Sequence, residues 1–411
     1  MSERFAERAG SGQPTISDVA RAAGVSKATV SHVLNGRVVV RPDTRERVMA
    51  AIRDLDYAPA ETARSLTARK RGAEPDAKVD AAVPRLTTVG YVSVDYVACL
   101  DRMPEREERL QARTIIKAIG GPAANVAAVA AAIGRPWPIS ASLITSIGCD
   151  QESDWAAAEL ASRRVDLLVS RERRQGRLDR ALVLVEADGR RTIVNEPSSL
   201  GEVDVLRFVE KTDPVGLTWC LHLEGFQAPV QIAALEAARL KGFRTSVQAT
   251  GLPPAWVAAN APRVFAGADA LFLHRETLAA IPGCPADPES AMAHLAALAA
   301  AAPPGHWPEV VTITLGAQGA NVLSRGRGWD RVPAPDVNVV DKTGAGDAFV
   351  GAFLCAWLNG APPQTAARLA CAAGSLAGTR FGAQEIRPAA DQLAALAGVP
   401  LPSPLAAHAP V

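Results

Sequence analysis

The sequence predicts a two-domain chain: an all-α head with a helix-turn-helix near the N-terminus, and a larger α/β body with a small β lid. Three observations carry that prediction. At 411 residues the chain is too long for one ordinary core. Charge is divided unevenly, with 13 Lys+Arg against 8 Asp+Glu in residues 1–71 and 31 against 35 in the remainder. From Leu86 to about Gly398, apolar strand-like runs alternate with helical stretches, the pattern of a mostly parallel sheet covered by helices. The boundaries read as a head over residues 14–71, a linker over 72–85 and a body over 86–398. The linker carries GAEPDAKVDAAVP, which has small, charged and proline residues but no apolar stripe.

Composition excludes several classes. Apolar residues at 48% and charged residues at 21% describe a globular chain. The six cysteines contain no Cys-x-x-Cys pair, which argues against a disulfide framework and against a zinc site. No N-terminal apolar segment and no apolar run of about 18 residues is present, so a cytoplasmic protein without a membrane partner is expected.

In the head, Thr15 stands as the N-cap of a first helix, with Asp18 three residues on near its positive end. Ile16, Val19, Ala20 and Ala23 form its apolar face, Gly24 permits a tight turn, and Ser26 caps a second helix. That helix offers Lys27, Ala28, Thr29, Ser31 and His32, short polar groups able to approach base edges, and Asn35-Gly36 ends it. A third helix from about Pro42 buries Val48, Ile52 and Leu55.

These residues resemble the lactose-repressor family of bacterial regulators, whose Thr-Ile, Asp-Val-Ala, Gly-Val-Ser, Thr-Val-Ser and closing Asn pattern runs through TISDVARAAGVSKATVSHVLNG. The resemblance continues through Tyr57, Pro59 and Ala63–Leu66, and implies a hinge helix in which Leu66 wedges a base step of operator DNA in the minor groove. It also implies a homodimer on a palindromic site.

In the body the informative stretch is VVDKTGAGDAFVGAFLCAWLNG. Gly344, Ala345 and Gly346 open a helix whose small residues let backbone N–H groups face an anion. Asp347 in that first turn would repel a phosphate, so it reads as a general base that deprotonates an attacking hydroxyl. A structural glycine turn is the other reading of such a stretch. A second glycine motif, Ile119 to Asn125, also precedes a helix. ALVLVEADGRRTIV carries a hairpin signal at Asp188-Gly189.

Together the two glycine motifs resemble the signatures of the ribokinase-like (PfkB) carbohydrate kinases. The resemblance implies an ATP-dependent transfer of phosphate to a sugar hydroxyl, with ATP and Mg²⁺, and with K⁺ as the candidate monovalent cation. It implies that Asp95, Gly121, Asn125 and Glu224 contact the sugar and that Thr314, Gly316 and Gly319 line the nucleotide. It places Asp341 and Thr343 with the Thr379–Gln384 segment around a monovalent cation. One departure stands out: where the family carries Asn-x-x-Glu for Mg²⁺ and phosphates, this chain reads His274-Arg275-Glu276-Thr277. Three functions follow from the sequence: a bifunctional regulator and kinase, a regulator with a degenerate kinase acting as a sensor, or a kinase with a vestigial DNA module.

Overall fold

The computed structural model describes residues 15–27, 29–30, 43–44, 47–48, 50–51, 55, 83–168, 175–187, 189–384 and 387–401. The chain divides into two compact units, residues 1–79 and 80–411. In the first, a helix over Ile16–Ala23 ends at Gly24, whose φ of 63° is the left-handed conformation that glycine adopts without strain. Val19, Ala20, Ala23, Val30, Val48 and Ala51 pack into one small core, with Val25 and Leu55 at its edge. Ile52, Pro42, the hinge residues Tyr57 to Leu66 and residues 72–82 of the expected linker lie outside the described residues; Arg85, at the end of that linker, already belongs to the first strand of the body.

The second unit is built on a nine-stranded sheet. Its strands are β1 (Arg85–Val89), β4 (Ser140–Ile144), β5 (Val165–Leu168), β8 (Trp219–Leu223), β9 (Arg244–Gln248), β10 (Ala270–His274), β11 (Val310–Thr314), β12 (Ala320–Ser324) and β13 (Gly328–Val332). Their order is β13-β12-β11-β10-β9-β8-β1-β4-β5, parallel from β11 to β5, with β12 and β13 antiparallel at one edge. Burial alternates between two helical layers, as a sheet covered on both faces requires. Along β10, Phe272 packs with the helices Pro122–Ile133, Ala345–Leu358 and Pro363–Ala377, while Leu271 and Leu273 pack with Ala228–Leu240, Pro254–Gly267 and Pro288–Ala301. Phe353 is fully buried edge-on to Phe272, with ring centroids 5.3 Å apart.

A second sheet has the order β3-β2-β6-β7, from β2 (Ser93–Cys99), β3 (Thr114–Gly120), β6 (Asp179–Val185) and β7 (Arg191–Asn195). Its inward face clusters Val97, Ala118, Ala181, Val183 and Val185, with Phe381 of the body against them. The expected hairpin joins β6 to β7, closed by Glu186 N–H to Arg190 O at 2.8 Å, and Gly189 has φ 78°. Asp188 lies outside the described residues.

The sequence reading needs one correction here. TTVGYVSV looks like a single strand, but it is split between the two sheets at Gly90. A Cβ on Gly90 would stand 2.5 Å from the Ala123 Cβ and 2.6 Å from the Glu224 Cγ, so the chain slips between these residues and leaves the main sheet. The small β lid expected from the sequence is a four-stranded sheet of which the hairpin is one part, and Asp95 belongs to it.

Candidate functional site

Parallel strands collect ligand-facing residues beyond their carboxyl ends, and the expected site residues of the body gather there. Gly344 caps the helix Ala345–Leu358 with φ 74°; a Cβ there would stand 2.6 Å from that of Ala383, so both conformation and space select glycine. No side chain caps this helix, which leaves its first-turn N–H groups, Gly346 and Asp347 included, available to an anion. Gly351 sits where a Cβ would be 2.6 Å from Val126 O, so this helix lies close along Pro122–Ile133. That approach brings Asn125 and Asp347 together across 222 residues of sequence: Asn125 Nδ2 donates to Asp347 Oδ2 at 2.7 Å.

Two further amides complete the cradle. Gln248, at the end of β9, donates Nε2 to Asp347 Oδ1 at 2.9 Å, and Gln384 donates Nε2 to Asn125 Oδ1 at 2.7 Å. Burial pushes the Asp347 pKa up to about 6, against the opposing pull of the Asn125 and Gln248 amides and of Arg191 on the lid. A carboxyl at that value is mostly ionised at neutral pH yet basic enough to take a proton.

The other expected substrate contacts lie near Asp347, whose charge acts on both Glu224 and Tyr91. Glu224 is fully buried and accepts from Phe226 N at 3.1 Å, while its Oε1 has no partner. Burial is the main cause that lifts its pKa to about 8, with the Asp347 charge adding to it. Asp95 accepts from Ser93 Oγ at 2.7 Å and packs directly on Gly120, and burial raises its pKa. Gly121, with φ 102°, packs against the Tyr91 backbone. The Tyr91 hydroxyl is held neutral by burial first and by the Glu224, Asp95 and Asp347 charges after it.

Asp341 is fully buried six residues before Asp347. Its Oδ1 accepts from Thr343 N at 2.8 Å and Thr343 Oγ1 at 2.6 Å, and its Oδ2 from Gly382 N at 3.0 Å. All three donors are neutral.

Thr314, Gly316 and Gly319 form a separate turn after β11. Leu315 N–H donates to Gly319 O at 2.8 Å, and the Thr314 hydroxyl to Leu273 O at 3.3 Å. No hydrogen bond among the described residues joins this turn to Asp347; β10 stands between β11 and β9. The departure at 274–277 closes on itself. Thr277 Oγ1 donates to His274 O at 2.7 Å and accepts from His274 N at 3.2 Å. Arg275 donates to Gln318 Oε1 at 2.7 Å and Leu315 O at 3.3 Å, and the Glu276 side chain is 84% exposed. Among the described residues no group of three or more His, Cys, Asp or Glu could hold a metal ion.

A profile of the pfkB family carbohydrate kinases matches residues 83–390, three quarters of the chain. The chain belongs to the pfkB carbohydrate kinase family. Among its relatives is an ATP-dependent ribose-1-phosphate kinase of Halopiger xanaduensis, 30% identical over 318 residues that cover 76% of this chain and 97% of that one. The fold of this pfkB-family body matches Arabidopsis thaliana ribokinase, solved with ribose and ATP, at a TM-score of 0.59 and 22% identity, covering 77% and 99% of the two chains. Phosphofructokinase-2 from Escherichia coli, solved with potassium, gives a TM-score of 0.61 at 20% identity over 77% and 99%.

The head matches the profile of bacterial regulatory proteins of the lacI family over residues 15–60. The repressor PurR of Vibrio cholerae is 58% identical over 52 residues, which are 13% of this chain and 16% of that protein. The pfkB-family body is therefore preceded by a lacI-type helix-turn-helix domain. In it, Thr15 N–H and Oγ1 both donate to Asp18 Oδ2, at 3.0 and 2.6 Å, and these bonds lower the Asp18 pKa. Ser26 Oγ accepts from Thr29 N–H at 3.1 Å, so the expected cap of the second helix forms, and Lys27 beside it is exposed. Ala28, Ser31, His32, Asn35 and Leu66 lie outside the described residues.

Sequence reasoning missed Gln248, and gave Gln384 only a place in the cation segment. The signal for Gln248 was its position at the carboxyl end of a parallel strand, where a polar residue after an apolar run faces the ligand side.

Proposed function

We propose that this chain is an operator-binding regulator whose body transfers the γ-phosphate of ATP to a sugar hydroxyl. The observation that carries the kinase half is Asp347, raised to about 6 and held between two amides at the mouth of an uncapped helix. Asp347 accepts the proton of the sugar hydroxyl as its oxygen attacks the γ-phosphorus. The bond to the β-phosphate oxygen breaks, ADP leaves, and the proton passes to solvent. The N–H groups of Gly344 and Gly346 hold the charge on the transferred group, where donors fixed in advance act most strongly, while the expected third donor, Ala345 N–H, is already given to Lys342 O at 3.3 Å. The unpartnered acceptor at Glu224 Oε1, with Asp95 nearby, suits a ligand rich in hydroxyl groups. Thr314, Gly316 and Gly319 take the nucleotide.

Asp341 fits a monovalent cation: its buried carboxylate has only neutral donors around it, from Thr343 and from Gly382 N–H. Bound there, K⁺ would neutralise that charge and stiffen the glycine turn. The Mg²⁺ side fits poorly. Position 277 is a threonine whose hydroxyl is spent on His274, and Glu276 points into solvent, so no step is assigned to a protein-held Mg²⁺.

The DNA half rests on the lacI-type head, with Thr15, Ser26, Lys27, Ala28, Thr29, Ser31, His32 and Asn35 on the operator and Leu66 as the wedge. A homodimer is supported by the outer lid face, where Ile115, Leu182 and Val194 are exposed on one side of the sheet. The deciding experiment incubates purified full-length chain with ATP, Mg²⁺, K⁺ and a panel of pentoses, hexoses and nucleosides, alongside an Asp347→Asn variant. Turnover by the native chain alone supports the kinase. Its absence across the panel favours the sensor reading, for which the closed 274–277 turn is the specific observation.

A further inference from the structure

A cavity of about 60 Å³ lies behind the site, between the helices Pro122–Ile133 and Gln151–Ser162, and it is charged. Its walls include Arg163, Arg164 and Arg387, with Ser162, Gln384 and the flank of Ala128. Arg163 is paired with Glu159, the one acidic partner given to these three arginines among the described residues. Arg387 reaches Ser162 Oγ at 3.5 Å. Arg164 holds a φ of 62°, a left-handed backbone that costs an arginine energy.

Two buried polar atoms on this wall lack partners: Arg163 Nε, a donor, and Gln384 Oε1, an acceptor. Gln384 is only 3% exposed, and its orientation is fixed from the other side. Asn125 gives its amide N–H to Asp347, so its carbonyl must accept from Gln384 Nε2, which turns Gln384 Oε1 away from that bond. A buried donor and acceptor left without partners are each costly to the fold. A guanidinium cluster around them calls for an anion that also carries a hydroxyl. A water needs roughly 10–15 Å³ of such space, so the cavity takes a few waters or one compact tetrahedral oxyanion.

We infer that the Arg163–Arg164–Arg387 cavity is a regulatory phosphate site, distinct from the γ-phosphate position, that reports to Asp347 through Gln384 and Asn125. Its ligand is a phosphate group, from free phosphate or from a phosphorylated sugar whose sugar remains at the cavity mouth. A protonated phosphate oxygen donates to Gln384 Oε1 while the guanidinium groups hold the charge. Occupancy pins the Gln384 amide and with it the Asn125–Asp347 bond. The relay to activity rests on the kinase reading above; the binding site does not.

The test uses the full chain saturated with a non-hydrolysable ATP analogue, which fills the glycine turn, and an Arg164→Ser/Arg387→Ser variant. Both residues are exposed, and circular dichroism and the melting temperature verify folding. Inorganic phosphate and ribose 5-phosphate are titrated separately by calorimetry. Saturable binding of either, weakened at least about tenfold in the variant, supports the site, and tenfold corresponds to about 1.4 kcal/mol. The tighter of the two identifies the source. Equal binding by both proteins, or no saturable binding at millimolar phosphate because the cavity holds water only, overturns it. In an active preparation, phosphate should move the acid limb of the pH–kcat profile in the native chain and not in the variant. Binding with an unmoved limb would overturn the regulatory half.

Discussion

Two strand-end regions of the body were rebuilt to different degrees. Around the glycine turn, Asp341, Thr343, Gly344 and Asp347 form a complete arrangement: one carboxylate enclosed by neutral donors, another tuned by burial and two amides. At the end of β10, His274 and Thr277 satisfy each other, and Arg275 is tied to the Thr314–Gly319 turn. The comparison teaches that the groups around Asp347 are assembled and mutually oriented, whereas the turn at 274–277 spends its polar groups on itself and leaves Glu276 in solvent. On the reading proposed above, the base would be in place and the nucleotide would have to bring its own Mg²⁺.

The largest effect expected is from Asp347→Asn. A general base contributes typically about 10²–10⁴-fold, so kcat should fall in that range while calorimetric sugar affinity survives. A variant that keeps its kcat would remove the intact half of the comparison. The same carboxyl sets pH dependence. Because its pKa is raised to about 6, activity should be present at neutral pH and lost as pH falls through about 6. Gln248→Leu removes a bond that favours the charged form, so the midpoint should move upward.

Restoring the family pattern with His274→Asn/Thr277→Glu comes next. Supporting carboxylates change metal affinity or activity by about 10–100-fold, so kcat/KM at limiting Mg²⁺ should rise within that range. No gain would mean the donor side is complete in some other way.

In the head, Leu66→Ala should weaken specific operator binding by about 1–3 kcal/mol, comparable to one mismatched base pair, and non-specific binding less. Fluorescence anisotropy on operator and random duplexes distinguishes the two, and equal losses would show that Leu66 does not insert.

The remaining expected change is one of stability. Glu224 has a folded pKa raised to about 8 from an ordinary 4.5. A raised carboxyl pKa favours the protonated fold, so its contribution is full below about 4.5 and lost as pH rises through about 8. Glu224→Gln should therefore melt higher than the native chain at pH 9 and equally at pH 4, and identical melting at both values would place that carboxyl in solvent.

Much of this was legible in the residues. The apolar strand-like runs ISASLITSI, LTWCLHL, ADALFLH and VVTITL coincide with β4, β8, β10 and β11, and the Asp-Gly hairpin signal falls at the β6–β7 turn. The capping residues Thr15 and Ser26 form the bonds their types suggest. Gly344 and Asp347 stand out in the sequence because a carboxylate just after a glycine turn is an odd choice for phosphate binding alone, although a structural glycine turn is the other reading.

What the sequence determined by itself was therefore the local grammar: element types, caps, the glycine turns, and the two kinds of domain. Tertiary structure alone decided which amides reach Asp347, since Asn125, Gln248 and Gln384 come from three distant segments. It also decided that Gly90 parts one apolar run into two sheets, because the atoms that exclude a side chain there belong to Ala123 and Glu224. The physical reason is the same in both cases. Periodicity and capping act over a few residues, whereas desolvation and close approach depend on neighbours that are distant in sequence and that only the folded chain brings together.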